Sequence, residues 1–231
     1  MGKGQNKLQK FAEYDSFSNT FSKTDDTKGQ WAEIFGNHHP IIVELATGKG
    51  DYTLGLARMN PQINYIGIDI KGNRLWKGAK IALDEALHNV RFLRIAIEQI
   101  EDHFNPNEVS EFWITFPDPQ PHKWHKRLVS GRFLNAYRKV SKSPCLVNIK
   151  TDSTLFYQTT LDQIAEDNLT IHQNISDVYA LNPVPDFLNI QTFYENIWLA
   201  EGKKIKYIQF ELGTVVSDET RKPQPSKDKL L

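Results

Sequence analysis

The densest set of chemically capable side chains lies in Phe116-Pro-Asp-Pro-Gln-Pro-His-Lys-Trp-His-Lys-Arg127, directly after the apolar run Glu111–Phe116. Pro117 and Pro119 flank Asp118 and disfavour helix, which predicts a stiff extended turn holding the Asp118 carboxylate at a strand's carboxyl end. His122, Lys123, His125, Lys126 and Arg127 follow, with Trp124 among them. From Phe116 to Arg132, four Lys or Arg stand against one Asp, a local charge of +3. Cations interleaved with an aromatic ring suit phosphate contacts and base stacking. An arbitrary basic loop is more simply a solvated surface. His122 and His125 have no acid or further His at ligand spacing, so no metal is expected.

A second cluster is Glu44-Leu-Ala-Thr-Gly-Lys-Gly-Asp51, between an apolar run and a helical segment. Gly48 and Gly50 would let backbone approach a ligand, and Asp69 stands twenty-one residues beyond Gly48, where an acid can accept from ribose hydroxyls. A dinucleotide fingerprint asks for a third glycine where Thr53 stands, with the next glycine at Gly55. Glu44, placed before the loop, suits a cationic ligand and opposes a pyrophosphate. The pattern therefore favours S-adenosylmethionine, with its sulfonium and ammonium, over NAD. A tight turn without any ligand would use the same glycines.

Two shorter motifs read first as structure. In Lys150-Thr-Asp152, Asp152 or Ser153 would cap the next helix, and Thr192-Phe-Tyr-Glu195 has the spacing of a capping box before Ile197 and Trp198.

The elements that must position these residues alternate. Strand signals at Pro40–Leu45, Ile63–Asp69, Val90–Ile95, Glu111–Phe116 and Cys145–Ile149 are separated by helical periodicity, clearest at Leu75, Ala79, Ala82, Leu83, Ala86 and Leu87. This predicts an α/β fold: a Rossmann-like, doubly wound, mostly parallel sheet of about seven strands. The strands near 169–178 and 204–212 would form an antiparallel edge. Ligands in such sheets lie beyond the strands' carboxyl ends. Residues 1–27 read as a flexible N-terminal arm partly ordered by Phe11, Phe17 and Phe21, residues 28–216 as one domain, and 217–231 as a loose tail.

Composition bounds the function classes. In 231 residues, 28 Lys and Arg balance 28 Asp and Glu, so a generically basic nucleic-acid binder is excluded and any such partner must meet a local patch. One cysteine, Cys145, makes no intramolecular disulfide and no cysteine-based zinc site, which points to a reducing cytoplasm. No apolar stretch is long enough to span a membrane.

In combination, Phe116-Pro-Asp-Pro with its basic run, Lys150-Thr-Asp152 and Thr192-x-x-Glu195, in that order on a glycine-bearing βα scaffold, resemble the bacterial tRNA (guanine-N7-)-methyltransferase family. The resemblance runs from about Ile41 to Phe210. It implies a class I methyltransferase fold, S-adenosylmethionine as cofactor, tRNA as partner, and methylation of guanine N7 in the variable loop, conventionally position 46. It also implies a cytoplasmic enzyme without membrane association, acting as a monomer or homodimer.

By the same resemblance, Glu44, Gly48, Gly50, Asp69, Ala96 and Asp118 would bind cofactor, and Asp118 would also act in catalysis or guanine positioning. His122, Lys123, Lys126, Arg127, Asp152, Thr192 and Glu195 would bind substrate, with His122 or Lys123 at the family's lysine position. The chain departs from the family pattern at Ala46 (usually glycine), Ala96 (usually an acid, so that only its backbone N–H could meet the adenine) and Gln120 (usually Trp). Trp124 and Leu128 interrupt the basic pattern. The alternatives are a methyltransferase for another substrate, a non-catalytic RNA-binding module and, weakest, a dehydrogenase.

Overall fold

Short β-branched and aromatic runs form strands that send side chains to both faces, because helices cover both faces of the sheet. The computed structural model describes residues 3–213. The expected tail, 217–231, lies outside the described residues. The strands are β1 (Thr20–Ser22), β2 (Ile41–Leu45), β3 (Asn64–Ile68), β4 (Val90–Arg94), β5 (Val109–Thr115), β6 (Ser141–Thr151), β7 (Ile171–Ile175) and β8 (Lys206–Glu211). They make one sheet in the order β1-β4-β3-β2-β5-β6-β8-β7. Every pairing from β1 to β6 is parallel, while β6–β8 and β8–β7 are antiparallel. This is the doubly wound α/β architecture with an antiparallel edge that the alternating pattern predicts, with one more strand than the seven expected.

The added strand is β1, inside the segment read as a flexible arm. The helix α1 (Lys3–Ser16) precedes it. Tyr14 is buried, and its hydroxyl donates to Phe21 O at 3.1 Å and Phe92 O at 3.2 Å. Glu13 accepts from Trp76 Nε1 at 2.8 Å. The segment is polar in sequence, and its anchors are one tyrosine and groups that only the folded sheet supplies. Phe17 and Phe21 also pack on the core, in line with their expected ordering role.

The remaining helices are α2 (Trp31–Phe35), α3 (Asp51–Met59), α4 (Gly72–Asp84), α5 (Ile100–His103), α6 (Gly131–Val140), α7 (Thr154–Glu166) and α8 (Phe193–Ala200). Trp31, Phe104, Phe133, Tyr137 and Phe156 pack on one face of the sheet. Tyr14, Tyr52, Leu75, Ala79 and Tyr207 pack on the other. Along β2, Val43 and Leu45 belong to the first layer and Ile42 to the second, the two-residue alternation of a strand covered on both sides. From β2 the chain winds outward through β3 and β4, then returns to start β5 on the other side of β2. The loops after β2 and β5 therefore diverge, opening a crevice where the strand order reverses.

Candidate active site

The loop after β2 is shaped from beneath by Glu44, which is 3% exposed. Its Oε2 accepts from the Thr53 N–H at 2.9 Å and from the hydroxyls of Thr53 and Thr47 at 2.5 Å each. Its Oε1 accepts from Thr115 Oγ1 at 2.5 Å. Burial pushes the Glu44 carboxyl above its ordinary range, and these threonine bonds pull it back. Glu44 thus ties the starts of α3 and the loop to β5.

The two glycines divide their roles. Gly50 has φ 77°, and a Cβ there would lie 2.7 Å from the Phe92 ring, so it packs the loop against the sheet. Gly48 has φ 61°, and a Cβ there would meet nothing within 4 Å, so it is the glycine that leaves room above the loop. Its N–H donates to Asp69 Oδ2 at 3.0 Å, while Asp69 Oδ1 accepts from Lys71 N at 2.8 Å. A carboxylate has about four acceptor positions. Asp69 keeps some of its positions open while its orientation is fixed.

Asp69 lines a cavity of about 280 Å³ together with Ala46, Ala96, Gln120 and Lys126, walled by Ile70, Ile95, Leu128 and Phe133. Ile70 is 65% exposed, an apolar side chain left for a ligand to cover. An oriented acid beside an apolar slot fits the ribose and adenine of S-adenosylmethionine. Ala96 lines the slot, but its N–H is taken by Gln99 Oε1 at 3.3 Å, so it is not free for the adenine in this structure. Ala46 adopts φ 57°, a left-handed conformation that costs a non-glycine residue about 1–2 kcal/mol.

The segment after β5 forms the wall between this cavity and a second cleft. Gln120 lines the first, and Phe116, Pro117, Asp118 and Pro119 line the second. The wall is held by left-handed Phe116 (φ 48°) and Gln120 (φ 45°), and by Phe116 N donating to Lys150 O at 2.8 Å. Asp118 is exposed, and its Oδ1 accepts from Gln120 N at 3.0 Å, which leaves Oδ2 open to the cleft. The cleft, about 730 Å³, also takes in Asp152, Tyr194, Trp198, Arg74 and Lys203. Ser153 caps α7 by accepting from Phe156 N at 3.1 Å, so the capping role falls to it and Asp152 is released to face the cleft.

Several residues expected at the substrate are buried and bonded within the protein. Thr192 and Glu195 are 8% and 0% exposed and form the capping box of α8: Thr192 Oγ1 accepts from Glu195 N at 3.1 Å, and Thr192 N donates to Glu195 Oε2 at 3.3 Å. Glu195 Oε1 also lies 2.7 Å from Lys150 Nζ, an ion pair with both side chains fully buried, and accepts from Tyr179 OH at 2.8 Å. Lys150 further donates to the carbonyls of Leu188 and Ile190. The Lys150 and Thr192 motifs are thus locked to one another, and the exposed middle of the second, Phe193 and Tyr194, is what they present.

Arg127, also expected at the substrate, is turned inward. Its guanidinium is 7% exposed as a residue and donates to Pro119 O at 2.9 Å, Pro121 O at 3.4 Å and Thr159 Oγ1 at 2.8 Å. It staples the proline turn instead of facing solvent. Arg132 pairs with Glu98 at 2.6 Å. Exposed His122, Lys123, His125 and Lys126 remain as the basic surface. Tyr194 belongs to the Thr192–Glu195 segment expected at the substrate; sequence reading missed Arg74, Trp198 and Lys203 at the cleft, because no local pattern marks which residues of separate elements converge there. Among the described residues, no three His, Cys, Asp or Glu side chains converge as a metal site, and no helix is long and apolar enough to cross a membrane.

Comparison with known proteins fits this geometry. The 16S rRNA methyltransferase KamB superposes with a TM-score of 0.63 over 81% of this chain and 94% of its own, at 12% identity, which supports the fold alone. Residues 38–208 match the family described as "Putative methyltransferase". The tRNA (guanine-N(7)-)-methyltransferase of Bacteroides thetaiotaomicron is 45% identical over 218 residues, 90% of this chain and 86% of that protein. That of Christiangramia forsetii is 46% identical over 220 residues, 90% of this chain and 98% of that protein. With a family model matching most of the chain and relatives this similar over nearly the whole fold, the chain belongs to the tRNA (guanine-N(7)-)-methyltransferase family of S-adenosylmethionine-dependent enzymes.

Proposed function

We propose that the protein methylates N7 of a guanine in tRNA, in the variable loop at position 46, and that it works in the cytoplasm. One observation carries the reading: Asp118 and Asp152, on loops after adjacent strands, line one cleft that is separated only by the 116–120 wall from the cavity of Asp69. Bound, S-adenosylmethionine supplies an electrophilic methyl carbon. The chain's own residues supply position. Guanine N7 has a free lone pair at neutral pH, so no base has to remove a proton from it. Its opposite edge carries the N1–H and N2–H₂ donors, which match carboxylate acceptors. Asp118 Oδ2 and Asp152 orient that edge, and exposed Tyr194 offers a face for the ring. A fixed carboxylate also favours the positive charge that the ring acquires on alkylation. Orientation of this kind supplies about 7–11 kcal/mol in well-aligned reactions.

The test is transfer of labelled methyl from S-adenosylmethionine to unmodified tRNA, followed by nucleoside analysis. Label in 7-methylguanosine supports the reading, and label in another nucleoside or none at all overturns it. Asp118→Asn keeps the turn acceptor and removes the charge. It should lower kcat on the order of 100-fold while cofactor affinity is preserved. Wild-type turnover in this variant would reduce Asp118 to a turn residue.

A further inference from the structure

The cleft with Asp118 and Asp152 has two cations on its rim, and they are differently engaged. Lys203 Nζ lies 3.2 Å from Glu201 and 3.7 Å from Asp152, and 3.6 Å from the centre of the Trp198 ring. Arg74, half-buried on α4, has no acid at ion-pair distance and no side-chain hydrogen bond among the described residues. Lys71 and Lys77 stand three positions to either side, exposed and likewise without an ion pair among the described residues. A spacing of three keeps Arg74 and Lys77 within roughly 60° of arc on α4, and Lys71 stands at the cap of the same helix. The next cation along, Lys80, is paired with Asp84. The stripe therefore leads to the cleft and stops one turn beyond it.

We propose that this stripe, Arg74 above all, holds phosphates of the RNA strand that carries the target guanine. The inference rests on the tRNA reading above and locates the strand's path. A cleft floored by two carboxylates attracts the donor edge of a guanine and repels its phosphate, so the phosphate must be met at the rim. Arg127 cannot meet it, because its guanidinium is bonded to Pro119, Pro121 and Thr159. Arg74 lies on that rim with all its donors open, and an arginine fork grips phosphate bidentately. The strand then enters the cleft over the start of α4.

The experiment titrates unmodified tRNA onto wild type, Arg74→Ala, Arg74→Lys and the triple alanine variant of Lys71, Arg74 and Lys77, at several salt concentrations. Steady-state kinetics, S-adenosylmethionine affinity and thermal midpoints are measured alongside. Arg74→Ala should raise the tRNA KM on the order of tenfold. It should also flatten the slope of log affinity against log salt by about 0.7–0.9, and the triple variant should flatten it by about 2. Arg74→Lys should keep the slope while losing part of the affinity, and cofactor affinity should stay at the wild-type value in all three. An Arg74→Ala protein with wild-type KM and salt slope overturns the inference alone. If wild type neither binds nor methylates tRNA, the functional reading falls and this inference with it. A loss of cofactor affinity parallel to the loss of tRNA affinity would mean a collapsed cleft and also overturns it.

Discussion

At the loop after β2 and the end of β3, the two carboxylates Glu44 and Asp69 accept six hydrogen bonds from the chain: four at Glu44 and two at Asp69. Across the 116–120 wall, the carboxylate of Asp118 accepts one, from Gln120 N, and that of Asp152 only faces Lys203 at 3.7 Å. The first pair builds a rigid loop before any ligand arrives. The second pair keeps its acceptors for a partner with donors of its own. Acids chosen by the same sequence logic thus do two kinds of work, and burial separates them. The basic and capping motifs divide the same way: Arg127, Lys150, Thr192 and Glu195 are interior, while Lys123, Lys126 and Tyr194 reach outward.

The largest expected effect breaks this division at its most buried point. Glu195→Ala strands the Lys150 ammonium in the core and should cost about 3–5 kcal/mol in a urea unfolding curve. Lys150→Met combined with Glu195→Gln removes both charges and keeps the cap acceptor, so it should recover most of that loss. A cost below ~0.5 kcal/mol for Glu195→Ala, the range of ordinary surface changes, would free Glu195 for the substrate and undo the division.

Next in size is Glu44→Gln. The amide nitrogen takes the place of Oε1 and faces the Thr115 hydroxyl, which must give up its role as donor, while the remaining oxygen, now uncharged, accepts more weakly from Thr47 and Thr53; the change should cost about 1–3 kcal/mol. Because the loop is then misshapen, S-adenosylmethionine affinity should fall as well, measured by calorimetry. Unchanged stability with lost affinity would instead make Glu44 a direct ligand.

Arg127 sharpens the comparison within one loop. Arg127→Ala leaves the Pro119 carbonyl without its donor and should lower stability by about 1–2 kcal/mol, with the salt dependence of tRNA binding unchanged. Lys123→Ala and Lys126→Ala should do the reverse, each flattening the slope by about 0.7–0.9 at constant stability. Equal slopes for all of these proteins would remove the loop from the RNA path.

The smallest effect is at Ala46. Ala46→Gly relieves a left-handed alanine but adds chain entropy to the unfolded state, for a net gain of at most about 1 kcal/mol in thermal unfolding. If the loop's conformation is already optimal for cofactor, affinity stays level. A gain in affinity would show that the alanine holds the loop slightly closed.

Pattern alone carried most of the fold. The apolar runs at β2 to β6 and the helical stripe of α4 are local in period, so strand and helix can be read from them without the rest of the chain. It failed at α1 and β1, whose stabilisation comes from Tyr14 reaching Phe92, seventy-eight residues away, and from Glu13 meeting Trp76. At the site, the spacing of Gly48 and Asp69 and the prolines around Asp118 were legible because each constrains backbone within a few residues of itself.

What the sequence determined by itself, then, is the alternation of strands and helices, the placing of acids at strand ends, and the set of residue types fit for nucleic-acid chemistry. Which of those residues face a ligand was decided by the tertiary structure. A side chain's role depends on whether its partners come from the protein or from outside, and those partners are far apart in the chain: Arg127 finds Thr159, Lys150 finds Glu195, and Arg74 comes to the cleft of Asp118 and Asp152. Burying a charge is tolerable only where such partners converge, so burial assigns the interior members to building the fold around the cleft and leaves the exposed ones open at the surface.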